Sequence, residues 1–447
     1  MQKRVVLLLS ALTLLLLLAV GVPAILRAMP DRYVARLPEP LQQLGAPEAQ
    51  APILPTVAAP AAAARLLQTA ATDTAVPRAQ LPPTLTPVPT VTPAAAGQTA
   101  VPTAEPPATP SLTPLPTPTL PPIPPAARLE GISHHFQTWN NCGPATMAMT
   151  LSYFDHFVTQ SDVATVLKPD PEDRNVSPEE MAAYVNAQTP FQATYRVNGT
   201  RAQLQRFVAN GIPVIIEIGI DPPGEFRWLG WYGHYLLVVA YDEAREQFWV
   251  YDSWFGTSEE PLQNAHPDGR ILTYAELETY WTHFNRSYIP LYPPEQADLV
   301  ADIVGAAMDD AVMWREAYAR VQADAAAAPD NAFNWFNLGT VANALGQYED
   351  AALAFDQARA IGLPWRMLWY QFGPYEAYYQ VGRYEDILLL ADRTLQDRPY
   401  FEESYYYKGL ALAALGRTPE ARENLEKAAA FNPNFAAAAQ ALAGLDE

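Results

Sequence analysis

The segment from Gln137 to Ala145 contains the residues of this chain that are best suited to covalent chemistry. It reads Gln-Thr-Trp-Asn-Asn-Cys-Gly-Pro-Ala, and its thiol belongs to Cys142, the single cysteine among 447 residues. With one cysteine, neither an intrachain disulfide nor a Cys-based zinc site can form. A lone cysteine is usually a small buried apolar residue, but the neighbours of Cys142 favour a nucleophile.

Cys142 lies at the start of a predicted helix that runs from Pro144 to Phe157. The free N–H groups and the positive dipole end of a helix N-terminus favour a thiolate over a thiol. An ordinary thiol, with a pKa of about 8.5, is mostly protonated at neutral pH, so a nucleophile needs this help and a nearby imidazole. We expect Gln137 to donate an N–H to the oxyanion, alongside the Cys142 backbone N–H, while Gly143 leaves room for a substrate.

The base that serves this thiol must be one of six histidines, namely His134, His135, His156, His234, His266 and His283. His234 opens a very apolar strand that continues to Ala240, so its imidazole needs a partner from another element. A hairpin that closes around residues 243–245 would bring Asp252 within a residue or two of His234. We therefore predict that Asp252 orients the imidazole. A structural role for His234, and a turn-forming role for Asp252 beside Ser253, are the alternatives.

These groups belong to a predicted mixed domain over residues 128–297. Ser177 and Thr200 each begin a capping box, and so each begins a further helix. The strands come later in the chain, at Pro213 to Ile220, His234 to Tyr241 and Gln247 to Asp252. Because helices precede strands, we predict an α+β domain. His134 and His135 either line its cleft or lie on ordinary surface.

The N-terminal segment indicates export and a tether. Val5 to Leu26 is almost wholly apolar, and at about 1.5 Å per residue it spans about 33 Å, enough for a bilayer core of about 30 Å. We predict a transmembrane signal-anchor over residues 1–27, with cleavage near Pro23-Ala24 as the alternative. Residues 28–127, rich in Pro, Thr and Ala, predict a disordered linker that holds the mixed domain on the extracytoplasmic side of the membrane.

Residues 313–447 contain an internal repeat. A six-residue pattern that begins at Gly346 recurs at Gly382 and at Gly416, close to the tetratricopeptide period of about 34 residues. The middle unit is degenerate, with Tyr375 where a small Gly is expected, so its helices are expected to pack less closely.

These residues resemble an all-α tetratricopeptide repeat array of three units, closed by a helix from Phe435 to Leu445. We expect the array to bind a protein partner. Trp335 and Tyr405 are expected in its core rather than in a ligand site.

Charge and composition narrow the possible partners. The formal net charge of −20 argues against nucleic-acid binding, which depends on clustered Lys and Arg. Solubility outside the cell explains the acidity, and a preference for basic substrates is the alternative. We expect no cofactor and no metal.

The order Gln137, Cys142, His234 and Asp252, with Gly-Pro-Ala after the thiol and a hydrophobic strand after the imidazole, resembles cysteine peptidase family thirty-nine and its stand-alone relatives. The resemblance covers roughly residues 130–293. It implies a papain-like fold and Cys–His–Asp chemistry. The family often has Pro after the orienting Asp, where this chain has Ser253. The founding members are fused to an ATP-driven exporter, whereas this chain has no Walker-type loop, so leader processing during export is not expected.

Two classes of function follow from these residues. The first is a membrane-anchored extracytoplasmic cysteine peptidase that hydrolyses peptide bonds of a peptide or protein substrate, with the repeats recruiting substrate or partner. Transfer of the acyl group to an amine is a variant of the same chemistry. The second is an inactive papain-like adaptor, or a structural surface protein, in which the repeats alone carry the function.

Overall fold

The computed structural model describes residues 53–67, 120–221, 230–258 and 262–445, together with residues 21–23, 25, 26 and 41. Most of the predicted membrane anchor, including residues 5–20, lies outside the described residues. Among the residues that are described, no helix is both long enough and apolar enough to cross a bilayer. The anchor over residues 1–27 therefore stays a prediction.

A single antiparallel sheet forms the platform of the mixed domain. Its strands in chain order are β1 (Ala126–Arg128), β2 (Gln192–Ala193), β3 (Val214–Ile220), β4 (Tyr232–Asp242), β5 (Gln247–Asp252), β6 (Arg270–Thr273) and β7 (Tyr288–Tyr292). The spatial order is β2-β7-β3-β4-β5-β6, and β1 pairs with the end of β4. Every residue of β3 is buried, as expected for a central strand covered on both faces.

Helices cover this sheet and follow the predicted starts closely. They are α1 (Cys142–Ser152), α2 (Gln160–Leu167), α3 (Pro178–Gln188), α4 (Arg201–Ala209), α5 (Tyr274–Tyr280) and α6 (Ala297–Val304). The hydroxyls of Ser177 and Thr200 accept the predicted capping bonds, from Glu180 N and Gln203 N. Helix α1 ends at Ser152 rather than at the predicted Phe157, because Asp155 adopts a left-handed conformation with φ of 56°.

The hairpin of β4 and β5 determines where the carboxylate of Asp252 lies relative to the predicted base, His234. Its turn is capped by Asp242, whose Oδ1 accepts from Ala244 N at 2.9 Å. The register pairs Leu236 with Asp252, with a bulge between Val238 and Ala240. Asp252 therefore lies diagonally across from His234, within reach of its ring.

The C-terminal part is helical. It contains α7 (Asp310–Ala327), α8 (Ala332–Ala344), α9 (Tyr348–Ile361), α10 (Gly373–Gln380), α11 (Tyr384–Asp397), α12 (Glu402–Ala414), α13 (Thr418–Phe431) and α14 (Ala436–Gly444). We call this part the repeat array. Helices α8 and α9 approach closely at Gly339, where a Cβ would lie 2.7 Å from the Phe355 ring. In the degenerate unit Tyr375 is fully buried, and Trp335 and Tyr405 are buried as expected.

Part of the predicted disordered linker is instead packed. Residues 53–67 lie against the repeat array, where Leu54 N donates to Leu363 O at 3.0 Å and Arg359 Nε donates to Pro55 O at 2.9 Å. Near the mixed domain, the Tyr241 hydroxyl donates to Pro124 O at 2.7 Å. The prediction of disorder over residues 28–127 is therefore wrong for residues 53–67 and 120–127. Composition alone does not predict this packing, because the apolar surfaces that these segments contact come from distant parts of the chain.

The repeat array packs against the mixed domain beside the start of β4. The Phe333 ring stacks on His283 with centroids 3.6 Å apart, and Asn337 Nδ2 donates to Thr282 O at 2.5 Å. Farther along, Arg366 Nη1 donates to Trp231 O at 3.1 Å. The array therefore lies next to the strand that carries His234.

Candidate active site

Cys142 is the first residue of α1, as its predicted helix-start position requires. The preceding residue, Asn141, makes no side-chain cap, and its Nδ2 donates to Thr138 Oγ1 at 2.8 Å. The remainder of α1, from Gly143 to Ser152, is buried, so the helix that presents the thiol is held firmly in the core. The sulfur itself stays half-buried.

The surroundings of the thiol favour the thiolate. Burial raises the pKa of Cys142, but a hydrogen bond with His234 and the charge of His234 act in the opposite direction. Backbone N–H groups of Tyr235 and Gly143 add to this stabilisation. The net pKa of Cys142 lies below its ordinary value.

His234 links the thiol to Asp252. Its Nε2 donates to Asp252 Oδ1 at 2.8 Å, which leaves Nδ1 for the sulfur of Cys142. Burial lowers the pKa of His234, but the Asp252 carboxylate and the Cys142 thiolate raise it more, to about 10. Each of the two groups therefore favours the charged form of the other.

Asp252 is fully buried, yet it is well compensated. Besides His234, its Oδ1 accepts from the backbone N–H groups of Trp254 at 2.8 Å and Phe255 at 3.0 Å. Its Oδ2 accepts from Arg270 Nε at 3.1 Å. Burial raises the pKa of Asp252, but the two cations and these N–H groups hold it well below its usual range.

Sequence reasoning missed Arg270. Its place beside Asp252 depends on the pairing of β5 with β6, in which Val250 faces Arg270. The sequence could indicate only that a strand follows Asp252, and this does not determine the register in which that strand pairs with β5.

Gln137 joins the site through the neighbour of Asp252. Its Oε1 accepts from Ser253 Oγ at 2.8 Å, and its backbone N donates to Ser253 O at 2.7 Å. The side-chain N–H groups therefore point away from Ser253. Cys142, His234 and Asp252 form a continuous chain, whereas Gln137 is attached to that chain through Ser253.

The other histidines do not compete for the role of base. His134 Nε2 donates to the backbone carbonyl O of Asp252 at 2.9 Å and so helps to hold the end of β5 in place. His135 is exposed. His283 accepts from Trp231 Nε1 at 3.1 Å, and burial lowers its pKa to about 3. Within the described ranges, no cluster of three or more His, Cys, Asp or Glu side chains is arranged to hold a metal ion.

A narrow crevice with no room for a water molecule lies beside Cys142, and we call it the active-site cavity. Its mouth is formed by the half-buried residues Asn140, Cys142, Arg174 and Tyr370. Its floor is formed by the buried residues Gly143, Val176, Glu217, Gly233 and Tyr235. Sequence reasoning identified neither Glu217 nor Tyr370 as part of the site.

Tyr370 is supplied by the repeat array. Its ring lies edge-on to Trp231 with centroids 5.8 Å apart. Gly233 makes this approach possible, because a Cβ there would lie 3.0 Å from Tyr370 Cγ. The mouth of the cavity is therefore built from both parts of the chain.

A mixed sheet-and-helix domain with a thiol at a helix start, next to an imidazole and a buried carboxylate, is an arrangement typical of thiol peptidases. Comparison with known proteins gives family matches for two parts of the chain. Residues 123–289 match the model of the Peptidase_C39 like family, and residues 402–435 match a tetratricopeptide repeat model. The chain carries a C39-like peptidase domain followed by a tetratricopeptide repeat, which confirms the resemblance stated from the sequence.

Solved structures give weaker likenesses. One, from Bacillus anthracis and provisionally described as a C39-like peptidase, is 14% identical with a TM-score of 0.29, covering 37% of this chain and 96% of that one. Another, a MamA RS-1 ArsTM double mutant, is 18% identical with a TM-score of 0.28, covering 31% of this chain and 76% of that one. No curated protein sequence matches the chain.

Proposed function

We propose that this protein is a cysteine peptidase in which Cys142 is the nucleophile, His234 the acid and base, and Asp252 the residue that orients His234. The observation that carries the proposal is the 2.8 Å contact between His234 Nε2 and Asp252 Oδ1, on a ring that also bonds the Cys142 thiol. This arrangement supplies an ionised nucleophile and a proton donor at one place.

The first half of the proposed reaction forms a thioester. The Cys142 thiolate attacks the substrate carbonyl carbon, and the electron pair of the C=O bond moves to oxygen. The backbone N–H of Cys142 and the Nε2 of Gln137 donate to this oxyanion. His234 gives its Nδ1 proton to the nitrogen of the scissile bond, the C–N bond breaks, and an amine leaves.

The second half releases the acid. Neutral His234 takes a proton from water, whose oxygen attacks the thioester carbonyl. The C–S bond breaks, and the thiolate and imidazolium are restored. Throughout, the buried Asp252 carboxylate holds the ring in the orientation that presents Nδ1 to the sulfur. An amine in place of water would give acyl transfer by the same steps.

The proposal includes a location and a role for the repeats. The apolar stretch from Val5 to Leu26 anchors the chain, and the catalytic domain acts outside the cytoplasm on peptide or protein substrates. The repeat array recruits substrate or a protein partner. Its packing beside β4 supports this role, because whatever the array binds is brought close to Cys142.

The single thiol permits a direct test on the full-length protein. Labelling of Cys142 by iodoacetamide is followed from about pH 4 to pH 9, in wild type and in His234→Ala. We expect wild-type labelling to persist well below pH 7 and to shift to about pH 8.5 in the variant. Cleavage of a peptide library, abolished in Cys142→Ala, then shows hydrolysis.

A catalytically inactive adaptor is the second candidate, and the narrowness of the active-site cavity is the observation that favours it. In that case thiol labelling would follow an ordinary titration in both proteins, and no library peptide would be cleaved.

A further inference from the structure

Ser253 carries a buried hydroxyl that the proposed mechanism does not use. The residue is fully buried, at 0% exposure, although serine is mostly found at protein surfaces. Its Oγ donates to Gln137 Oε1 at 2.8 Å, and its backbone O accepts from Gln137 N at 2.7 Å. Ser253 therefore contacts the residue that we assign to the oxyanion, and it directly follows Asp252, the residue that orients His234.

The backbone around Gln137 is held from two sides. On one side lies Gln160, at the start of α2, whose Nε2 donates to Phe136 O at 2.9 Å. Its Oε1 accepts from Thr138 N at 2.7 Å. On the other side lies the backbone O of Ser253. These bonds fix the chain before, at and after Gln137, so the freedom that remains lies in the Gln137 side chain.

A short turn connects this fixed backbone to the nucleophile. Asn141 N donates to Thr138 O at 3.2 Å, and Asn141 Nδ2 donates to Thr138 Oγ1 at 2.8 Å. Cys142 follows directly and begins α1. The position of the Gln137 backbone relative to Cys142 is therefore set by a hydrogen-bonded turn over residues 138–141.

The orientation of the Gln137 amide decides whether it can serve an oxyanion. The last torsion of a glutamine is broad and roughly two-fold, so its oxygen and nitrogen can exchange places. An oxyanion needs the Nε2 donor and is repelled by Oε1. Among the described residues, Gln137 Oε1 is the acceptor for the Ser253 hydroxyl. A flipped amide would leave this buried O–H without an acceptor, which is unfavourable, so the hydroxyl selects the orientation that turns Nε2 away from Ser253.

We propose that Ser253 is a positioning residue of the oxyanion site, and that its hydroxyl holds the Gln137 amide with Nε2 towards the substrate carbonyl oxygen. This inference rests on the proposed peptidase activity. Two consecutive residues at the end of β5 then position two groups of the site. Asp252 holds the imidazole of His234, and Ser253 holds the amide of Gln137. The proton donor and the oxyanion donor are thereby placed by the same piece of backbone.

A double-mutant cycle on the full-length protein tests this assignment. Steady-state kcat and KM for a cleaved peptide are measured in wild type, Ser253→Ala, Gln137→Ala and the double variant. Gln137→Ala should lower kcat by about 10²–10³-fold with little change in KM, because an oxyanion donor acts in the transition state. Ser253→Ala should lower kcat by about tenfold, since the amide loses the bond that orients it. The double variant should have the kcat of Gln137→Ala, because Ser253 acts through Gln137.

Controls separate this role from a general structural one. Ser253→Thr keeps a hydroxyl at the same position and should retain kcat within about threefold of wild type. Ser161→Ala, at an exposed position on α2, is the matched control and should leave kcat unchanged. Iodoacetamide alkylates a thiolate without forming an oxyanion, so the pH dependence of Cys142 labelling should be the same in Ser253→Ala as in wild type.

The outcomes distinguish the two proposals. If Ser253→Ala keeps the wild-type kcat, or if the two single losses multiply in the double variant, the assignment of Ser253 is wrong and the peptidase proposal stands. The same conclusion follows if labelling of Ser253→Ala shifts to about pH 8.5, since the loss then passes through His234. If wild type cleaves no peptide, the peptidase proposal fails and the assignment of Ser253 fails with it.

Discussion

Two buried carboxyl groups on opposite sides of β4 flank the same nucleophile, and their surroundings differ completely. Asp252, on β5, receives two cations and two backbone N–H groups. Glu217, on β3, lies against the hydroxyl of Tyr235, while the neighbouring Cys142 and Glu179 charges raise its pKa. Burial is nearly equal, at 0% and 5% exposure, yet the pKa of Asp252 is lowered and that of Glu217 is raised.

The comparison shows that partners, rather than depth, decide whether a buried acid is ionised. Asp252 is charged before any substrate arrives, which suits a residue that must hold an imidazolium in place. The surroundings of Glu217 instead disfavour its charged form, because burial and the neighbouring Cys142 and Glu179 charges all raise its pKa. Each of the following substitutions removes one of the two carboxyl groups or one of their partners.

Asp252→Asn should have the largest effect. Without the carboxylate His234 loses both its orientation and its raised pKa, so kcat/KM should fall by about 10³–10⁴-fold. Steady-state kinetics on a cleaved peptide provide the measurement. Asp330→Asn, at an exposed turn, is the matched control. A loss of less than about tenfold would contradict the orienting role.

Arg270→Gln should come next. It leaves the contact between His234 and Asp252 but removes a second cation from the carboxylate, so the free energy of unfolding should fall by about 2 kcal/mol at pH 7. Urea denaturation followed by fluorescence measures this change. A variant as stable as wild type would show that Arg270 does not help to compensate Asp252.

Glu217→Gln should act in the opposite direction. The folded pKa of Glu217 lies above its unfolded value, so the folded protein binds this proton more tightly, and stability falls as the pH rises from about 4 towards the folded pKa. The variant lacks this penalty and should be more stable than wild type by about 1 kcal/mol at pH 7.

The free energies of unfolding of Glu217→Gln and Asp252→Asn should depend on pH in different ways. Near pH 4 the advantage of Glu217→Gln should vanish, because Glu217 is then protonated in both states. The folded pKa of Asp252 is depressed, so its contribution is present above the unfolded value of about 4 and is lost as the pH falls below it. The loss of stability caused by Asp252→Asn should therefore be smaller at acidic pH. Parallel urea titrations at several pH values test both signs.

Tyr235→Phe should have the smallest effect. It removes the hydroxyl that donates to Val176 O at 2.7 Å and that lies against Glu217, and the free energy of unfolding should fall by about 1 kcal/mol or less. Tyr280→Phe, at a half-buried position in α5, is the control. A loss of stability much larger than that of Tyr280→Phe would show that the hydroxyl contributes more than one ordinary hydrogen bond.

Sequence reasoning reached one of these carboxyl groups and not the other. Asp252 was predictable because a hairpin with a short polar turn has few possible registers, and the structure pairs it two residues from His234. Glu217 stands inside a uniformly apolar strand, Val-Ile-Ile-Glu-Ile-Gly-Ile, where nothing marks which cavity it borders. Its position beside Cys142 becomes apparent only when β3, α1 and the repeat array are brought together in the folded protein.

The predicted linker is a second case in which sequence reasoning could not foresee a long-range contact. Composition predicts that a Pro- and Ala-rich segment cannot fold by itself. Residues 53–67 nevertheless bury Leu54 and Leu66 on the repeat array. A segment without its own core can still be ordered by a surface that lies hundreds of residues away.

The sequence by itself determined the local features: a thiol at a helix start, capping boxes that begin α3 and α4, a hairpin, and a repeat of about 34 residues. Each depends on neighbours within a few tens of residues, where spacing fixes geometry. Only the tertiary structure decided that Arg270 compensates Asp252 and that Tyr370 closes the cavity over Glu217. Those contacts join distant segments, and long-range contacts depend on packing that no local pattern encodes.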